Sequence, residues 1–210
     1  MLKNRKLKGF TLAEVLITLT IIGVISAITL PALQNNVNTT AMEKQTSKFY
    51  SQLQEMVDRY KSINGIDQID SDIWSEANLK KYFKIRSKCA SRTDCFASTY
   101  YSVKDVSKTY KMSDMTNANA TYYMLTDGTT FGIDSNNIVT FDINGPKKPN
   151  KVGYDMWVAS ISDDGTIDGI GQNGNTSKAD IKTSLDNCLK GADYYGCFGH
   201  FVRNGFKFDY

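Results

Sequence analysis

One acidic residue, Glu14, interrupts an apolar run that extends from Phe10 to Leu33. A charge at the centre of a membrane helix costs at least ~2.5–3.5 kcal/mol, so an acid in such a segment is a candidate functional group. At about 1.5 Å of rise per residue, a helix of this length can cross a hydrocarbon core of ~30 Å. Glu14 is therefore the first candidate for chemistry in this chain.

Four cysteines form a second candidate group, in two close pairs: Cys89 with Cys95, and Cys188 with Cys197. An even number of cysteines favours disulfides if the domain is exported. Pairing within each couple is the preferred connectivity, although spacing alone leaves the other two connectivities open. A zinc site is the alternative, but separations of six and nine residues do not match the usual Cys-x2–4-Cys spacing.

The segment from Asp142 to Asp155 is a candidate calcium site. Its oxygen-bearing side chains are Asp142, Asn144, Asn150 and Asp155. Such hard oxygen ligands suit Ca²⁺. Turn chemistry explains the same residues, because Asn, Asp and Gly tolerate positive φ and cap backbone amides. Lys147 and Lys148 would oppose a cation, so we expect a structural loop and keep calcium as the alternative.

No catalytic constellation is recognisable in the sequence. The only histidine, His200, has no recognisable partner and is interpreted as a surface or packing residue. The acidic turn with Asp163, Asp164 and Asp168 is a second candidate for a cation, with turn chemistry again the simpler explanation. There is no phosphate-binding glycine loop, nucleophile elbow or metal-binding helix motif. We therefore expect no enzyme activity, and no cofactor apart from the calcium alternative.

Positive charge is concentrated ahead of the apolar run. The nine-residue leader contains Lys3, Arg5, Lys6 and Lys8 and no acid. The whole chain has 25 basic and 22 acidic residues, a net charge of +3; without those four it carries 21 and 22, a net of −1. The basicity therefore indicates targeting rather than a nucleic-acid surface. Basic residues before a membrane helix favour a cytoplasmic N-terminus and an extracytoplasmic C-terminal domain.

Two simpler interpretations of the apolar run fit less well than a specialised one. A secretory signal peptide has a shorter apolar region that ends at a small-residue cleavage site, whereas this run is longer and continues as a helix. A plain membrane anchor fits the length and the basic flank but leaves Glu14 unexplained.

The segment resembles the N-terminus of type IV pilins and type II secretion pseudopilins. In that family a short basic leader ends in Gly, followed by Phe-Thr-Leu, one further residue, Glu and a long apolar segment that ends near a Pro. The matching positions are Gly9, Phe10, Thr11, Leu12, Glu14, Gly23 and Pro31. The resemblance covers only about the first 33 of the 210 residues.

The resemblance implies a structural subunit, a pilin or pseudopilin, of a type IV pilus or a type II secretion-type filament. A prepilin peptidase would cut after Gly9 and methylate the new amino group of Phe10, and Glu14 would pair with that ammonium on a neighbouring subunit. The implied partners are the peptidase, other pilin subunits, an inner-membrane assembly platform and membrane lipid, with nucleic acid expected only in a DNA-uptake pseudopilus. The implied location is a single pass through the bacterial cytoplasmic membrane, then a periplasmic or cell-surface filament. The alternative from another class is a membrane-anchored binding or adhesin protein that does not polymerise.

Four segments are expected along the chain. They are a basic leader (1–9), a transmembrane and filament-core helix (10–33), an amphipathic continuation of that helix (34–65) and an extracytoplasmic α+β domain (66–210). The amphipathic stripe consists of Met42, Phe49, Leu53, Met56, Val57 and Tyr60. Asn64 and Gly65 supply the expected helix stop.

The predicted fold class is α+β, with the long N-terminal helix packed on a small antiparallel β-meander, as in pilins. Residues 121–126 and 129–133 flank Asp127-Gly128, which predicts a type I′ hairpin. Further strands are predicted over 138–144, 154–162 and 166–171. Short helices are predicted over 71–85, with Trp74, Leu79, Tyr82 and Phe83 as buried groups, and over 177–190, with a capping pair of Ser177 and Asp180 and a stop at Gly191.

Overall fold

The computed structural model of the chain describes residues 9–115, 119–170, 178–190 and 194–210. For residues 30–37, 178–182 and 184 it describes only the helical backbone. The chain divides into two compact units, Met1–Ala41 and Met42–Tyr210. The first helix, α1 (Leu12–Asn64), begins in the first unit and ends in the second.

The first unit contains a helical stretch, Leu12–Thr29, that is long and apolar enough to cross a membrane. This follows from length and composition alone, because no membrane is present. The threonines within the stretch do not leave their hydroxyl groups unsatisfied: Thr18 donates to the carbonyl of Glu14 at 2.9 Å, and Thr20 to that of Leu16 at 2.7 Å. A hydroxyl that is hydrogen-bonded to its own helix has a lower free-energy cost of transfer into lipid than a hydroxyl without a partner.

The second unit is a mixed α+β domain. Its helical elements after α1 are a 3₁₀ helix (Ser71–Trp74), α2 (Glu76–Tyr82), α3 (Arg92–Cys95), α4 (Met112–Met115), α5 (Lys178–Leu189) and α6 (Cys197–Arg203). Its strands are β1 (Ile85–Lys88), β2 (Thr99–Ser102), β3 (Thr109–Lys111), β4 (Thr121–Leu125), β5 (Thr130–Ile133), β6 (Ile138–Asp142), β7 (Lys151–Val152), β8 (Met156–Ile161) and β9 (Ile167–Gly169).

The strands form one sheet in the order β1-β4-β5-β6-β8-β7-β2-β3, and β9 pairs with β8. The pairs β4–β5, β5–β6 and β6–β8 are antiparallel, which confirms the predicted meander. The sheet is larger than predicted, because β1, β2, β3 and β7 extend it at both sides. Two of the added pairs, β2–β7 and β7–β8, are parallel.

The hairpin between β4 and β5 turns where the sequence predicts it. Gly128 has a φ of +95°, a conformation that residues with a Cβ rarely adopt. The Leu125 amide donates to the Thr129 carbonyl at 2.8 Å and closes the turn. The predicted position of the turn is confirmed, but the predicted type I′ is wrong: that type needs a positive φ at both central residues, and Asp127 does not have one. The Gly128 amide instead donates to the Leu125 carbonyl at 3.2 Å, so the loop between the strands has three residues, Thr126 to Gly128.

The core of the second unit lies between the amphipathic stripe of α1 and one face of the sheet. Phe49, Leu53, Met56 and Val57 are each at most 2% exposed, as the helical spacing predicts. The Phe49 ring lies 4.7 Å from that of Phe141, centre to centre. Burial of these apolar side chains is the main source of stability, at about 25 cal/mol per Å² removed from water.

Two predicted helices have a different extent or boundary in the structure. The helix predicted over 71–85 is divided at Ser75, whose side chain caps α2 by accepting from the Asn78 amide. A capping residue has non-helical dihedrals, so it ends the 3₁₀ helix and starts α2. The helix predicted over 177–190 is present as α5, whereas its predicted cap Ser177 and stop Gly191 lie outside the described residues.

Candidate functional site

The peptide between Gly9 and Phe10 lies in the exposed segment before α1. Phe10 is 88% exposed, and apart from the chain neighbours of Gly9 no atom of the described residues lies within 4 Å of the position that a Cβ on Gly9 would occupy. An enzyme can approach such a peptide bond without displacing packed side chains. The two residues predicted to flank the processing site are therefore accessible.

Thr11 and Glu14 form a capping box at the start of α1. Glu14 Oε2 accepts from the Thr11 amide and from the Thr11 hydroxyl, each at 2.8 Å, and the Glu14 amide donates to Thr11 Oγ1 at 3.2 Å. This reciprocal arrangement satisfies amides that a helix N-terminus otherwise leaves unpaired. Glu14 thus has a role within its own chain that the sequence reasoning did not assign to it.

One of the two oxygens of the Glu14 carboxylate is available for a further hydrogen bond. Both bonds from Thr11 are accepted by Oε2, and Oε1 accepts none from the residues that the structure describes. A carboxylate has about four lone-pair sites, so it can hold the cap and bind another donor. The side chain is exposed at the start of an apolar helix, where a cation from a second molecule can reach it.

The structure bonds Cys89 to Cys95 and Cys188 to Cys197, and no cysteine is free. The first bridge joins the end of β1 to α3. The second joins α5 to the first residue of α6, and both of its cysteines are only 2% exposed. Gly153 packs against this second bridge, since a Cβ at that position would lie 3.1 Å from Cys197 Sγ.

The Asp142–Asp155 loop brings its two carboxylates into the protein interior, where both are fully buried. Asp142 accepts from the Tyr100 hydroxyl at 2.6 Å and from the Asn144 amide at 3.0 Å. Asp155 accepts from the amides of Asn150 at 2.8 Å and Lys151 at 2.6 Å. Each carboxylate therefore holds loop backbone in place, which is turn chemistry.

These two buried carboxylates lack a positively charged partner among the described residues. Among the described residues neither forms an ion pair with Lys or Arg. Burial raises the pKa of Asp155 to about 6, and burial together with the nearby Asp155 charge raises the pKa of Asp142 above its ordinary value of 3.8. Buried charges in proteins are paired, neutralised by a proton or bound to a cation.

Two side-chain amide oxygens of the loop lack a hydrogen-bond donor among the described residues. Asn144 Oδ1 and Asn150 Oδ1 are buried without a hydrogen bond in the part of the chain that the structure describes. Their amide nitrogens face loop carbonyls, of Lys148 at 3.2 Å and Pro146 at 3.5 Å. Calcium binding by Asp142, Asn144, Asn150 and Asp155 stays a prediction.

The second acidic turn is not assembled as a cation site. Asp168, on β9, binds Arg203, and Asp164 Oδ1 accepts from the Thr166 amide at 2.8 Å. Among the described residues no group of three or more His, Cys, Asp or Glu side chains is placed to hold a metal. Turn chemistry is the observed role of Asp164.

His200 has a partner that the sequence does not reveal. Its Nε2 lies 2.7 Å from Asp209 Oδ1, and its side chain is 24% exposed. The contact joins α6 to the residues after it. A nine-residue separation across an irregular segment gives no periodic signal, so the pairing depends on the fold.

The sequence reasoning also missed a buried acid on α1. Glu43 is 7% exposed, accepts from Lys207 Nζ at 2.6 Å and accepts from the Phe208 amide at 3.0 Å. These bonds hold the C-terminal segment against α1. The only sequence signal was an acid close to an otherwise apolar stripe. For Thr11, by contrast, the Thr-x-x-Glu spacing of a capping box was present in the sequence.

Residues 4–30 match the family model described as the prokaryotic N-terminal methylation motif. Neither a curated protein nor a solved structure matches the chain. The matched range contains the accessible Gly9–Phe10 peptide, the capping box and the start of the apolar helix. The chain therefore carries the N-terminal signal of type IV pilins and pseudopilins, which indicates a prepilin-type processed protein and fits anchoring in a membrane.

Proposed function

We propose that the protein is a structural subunit, a pilin or pseudopilin, of a type IV pilus or a type II secretion-type filament. The observation that carries the proposal is the arrangement at the start of α1. An accessible Gly9–Phe10 peptide lies directly before the capped start of α1, and Glu14 is the only acid in the apolar stretch Leu12–Thr29. The methylation motif over the same residues supports a structural rather than an enzymatic role.

Cleavage after Gly9 creates an ammonium group at Phe10. That charge forms next to the positive end of the α1 dipole, where a cation is unfavourable. A carboxylate nearby relieves the repulsion, and the Glu14 of an adjacent subunit has Oε1 available for it. Pairing also removes the desolvation cost of an isolated carboxylate in an apolar environment.

The pairing gives assembly a register along the helix. Exposed apolar side chains from Leu12 to Thr29 provide the surface over which subunits pack. Such a surface has no positional preference of its own, because apolar contacts are non-directional. One ammonium–carboxylate pair per contact would set the offset between neighbours in a head-to-tail array.

The partners follow from this chemistry. A prepilin peptidase would cut after Gly9 and methylate the new amino group of Phe10. Lipid would surround residues 10–33 before assembly, and an inner-membrane platform would extract the subunit. In this proposal the segment 34–65 continues the helix, and residues 66–210 form the extracytoplasmic domain. DNA is expected as a partner only in an uptake pseudopilus.

A glycine substitution tests the processing step. Gly9→Val places a branched side chain beside the scissile peptide and should leave an unprocessed chain in the membrane. Gly23→Ala is the matched control, because that glycine also has no atom within 4 Å of its Cβ position but lies inside the apolar helix. Normal processing of Gly9→Val, or equal loss of filaments in both variants, would contradict the proposed cleavage site.

A further inference from the structure

The sheet face opposite α1 carries a cavity of about 310 Å³ in the second unit. Its floor is a row of residues paired across four strands, in the order Tyr122, Gly132, Thr140 and Val158. The adjacent row, which contains Phe131 and Phe141, faces the other way and packs on Phe49 of α1. The cavity is therefore separate from the core of the second unit.

A glycine shapes this floor. A Cβ on Gly132 would lie 2.6 Å from Tyr122 Cδ1, so the Tyr122 ring rests directly on the Gly132 backbone. Any larger residue at 132 would push the ring into the cavity. The space above the sheet therefore depends on a residue without a side chain.

The walls of the cavity are aromatic and acidic. Tyr194 and Tyr195 stand on one side with their ring centres 4.4 Å apart, and the Tyr194 hydroxyl donates to the Asp114 carbonyl at 2.8 Å. Two acidic residues also line the cavity: Asp134, at the turn between β5 and β6, and Asp114, on α4, whose Oδ1 accepts from the Ser113 hydroxyl at 2.9 Å. None of the described lining residues is Lys or Arg; Lys88 and Arg92 line a separate cleft beyond Tyr122.

Asp134 is the more informative of the two acids because it is only 8% exposed. It accepts from the amides of Asn136 at 2.9 Å and Ile138 at 3.0 Å, both through Oδ1. Its second oxygen, Oδ2, accepts no hydrogen bond from the described residues. A nearly buried carboxylate with an unused oxygen favours a cationic donor.

We propose that this cavity binds an organic cation, an ammonium or guanidinium group of the kind that Lys and Arg side chains carry. Tyrosine rings attract a cation through their π faces, and the two carboxylates supply the opposite charge. The cavity volume is at the lower end of ligand pockets, which fits one side chain or a small amine. This site does not depend on filament assembly.

The test uses n-butylammonium chloride as the probe on the full chain in lipid nanodiscs. The methyl carbons of methionine are isotope-labelled, because Met115 lines the cavity whereas Met56 lies on α1 and is buried in the core. We expect a saturable NMR shift of Met115, with a dissociation constant on the order of millimolar for so small a ligand, and no shift of Met56. Sodium chloride at equal ionic strength should have no effect.

Two variants and a matched control connect the shift to this site. Asp134→Asn keeps an oxygen for the turn but removes the charge, and Tyr195→Leu removes a ring; each should weaken binding about five- to tenfold. Asp164→Asn is the control, since Asp164 caps a similar turn through the Thr166 amide away from the cavity. A melting curve establishes that each variant is folded. If Asp134→Asn does not fold, the affinity of Tyr195→Leu for n-butylammonium tests the site by itself.

Several results would overturn the inference. They are the absence of a saturable Met115 shift, equal affinity in both variants and wild type, and equal binding of the neutral probe 1-pentanol. Binding of methyl glucoside in place of n-butylammonium would assign the cavity to a carbohydrate and reject the cation.

Discussion

Glu14 accepts two hydrogen bonds from Thr11 at 2.8 Å through a single carboxylate oxygen. The acid in the apolar run is therefore a helix cap as well as a candidate counter-charge. The two roles can be separated, because the cap needs an acceptor whereas the pairing with an ammonium needs a negative charge.

Glu14→Gln should process normally but fail to assemble. The amide oxygen can still accept from Thr11, so α1 keeps its cap, while the charge available to a neighbouring ammonium is lost. We expect incorporation into filaments to fall by about tenfold or more, since breaking a buried charge pair costs several kcal/mol. Immunoblots of sheared filaments, normalised to the membrane pool, measure it.

Thr11→Val is the control for the cap alone. It removes the hydroxyl and keeps the side-chain volume, at an expected cost of about 1 kcal/mol in local helix stability. Incorporation should fall much less than in Glu14→Gln. If the two variants assemble equally poorly, the cap and not the charge is what assembly requires.

The two disulfides should each contribute to the stability of the second unit. Closing loops of this length restricts the unfolded chain by about 2 kcal/mol per bridge. Replacing Cys188 and Cys197 together by Ala should lower the melting temperature by several degrees, and replacing Cys89 and Cys95 by a similar amount. Mass mapping of non-reduced protein should find Cys89–Cys95 and Cys188–Cys197 peptides; four free thiols would reject both bridges.

Acidification from pH 7 towards pH 4 should stabilise the loop around Asp155. The pKa of Asp155 is raised to about 6 in the folded chain, against an ordinary value of 3.8. Between these values the folded state binds a proton that the unfolded state does not, so stability rises as pH falls and levels off below about 4. The gain is on the order of 2 kcal/mol, and Asp142, whose pKa is also raised, acts in the same direction.

Melting curves of Asp155→Asn across this pH range measure the effect. The variant should lose most of the stabilisation by acid. Asp164→Asn should keep it, because hydrogen bonds from Thr166 lower the pKa of Asp164 instead. An Asp155→Asn curve parallel to that of the wild type would show that this carboxyl does not titrate in the expected range.

Calcium removal should hardly change the melting temperature. Backbone amides and the Tyr100 hydroxyl already occupy the carboxylates of Asp142 and Asp155, and a proton can neutralise the pair. If the loop were instead a calcium site, a hundredfold excess over Kd would add about 2.7 kcal/mol. A calcium-dependent rise of more than a few degrees, lost in Asp142→Ala, would show that the orphaned oxygens of Asn144 and Asn150 are ligands.

Glu43 should contribute more to the free energy of unfolding than an exposed acid on the same helix does. Glu43→Ala leaves Lys207 and the Phe208 amide without their acceptor and should cost about 1–3 kcal/mol. The control is Glu55→Ala, because Glu55 forms an exposed pair with Arg59 that is worth at most about 0.5 kcal/mol. Denaturant unfolding of both variants measures the difference. Equal stability would mean that the C-terminal segment is held without Glu43.

The features that were predictable from sequence are those with local or periodic signals. The buried stripe of α1, the Asp127-Gly128 turn and the antiparallel strands around it have such signals and appear in the structure. The strands β1, β2, β3 and β7 have two to four residues each and no sustained alternation, so only their partners in the sheet define them. The contact between Glu43 and Phe208 joins distant segments of the chain, and the contact between His200 and Asp209 spans an irregular segment, so neither has a periodic signal in the sequence.

The intact mass of the chain in purified filaments tests the central claim most directly. Filaments are sheared from cells, separated from membranes and analysed by mass spectrometry. The account predicts a chain that begins at Phe10 and carries one methyl group on its amino nitrogen. A chain that retains Met1, one that begins beyond Ala27, or a correctly processed chain found only in membranes and never in filaments would contradict it.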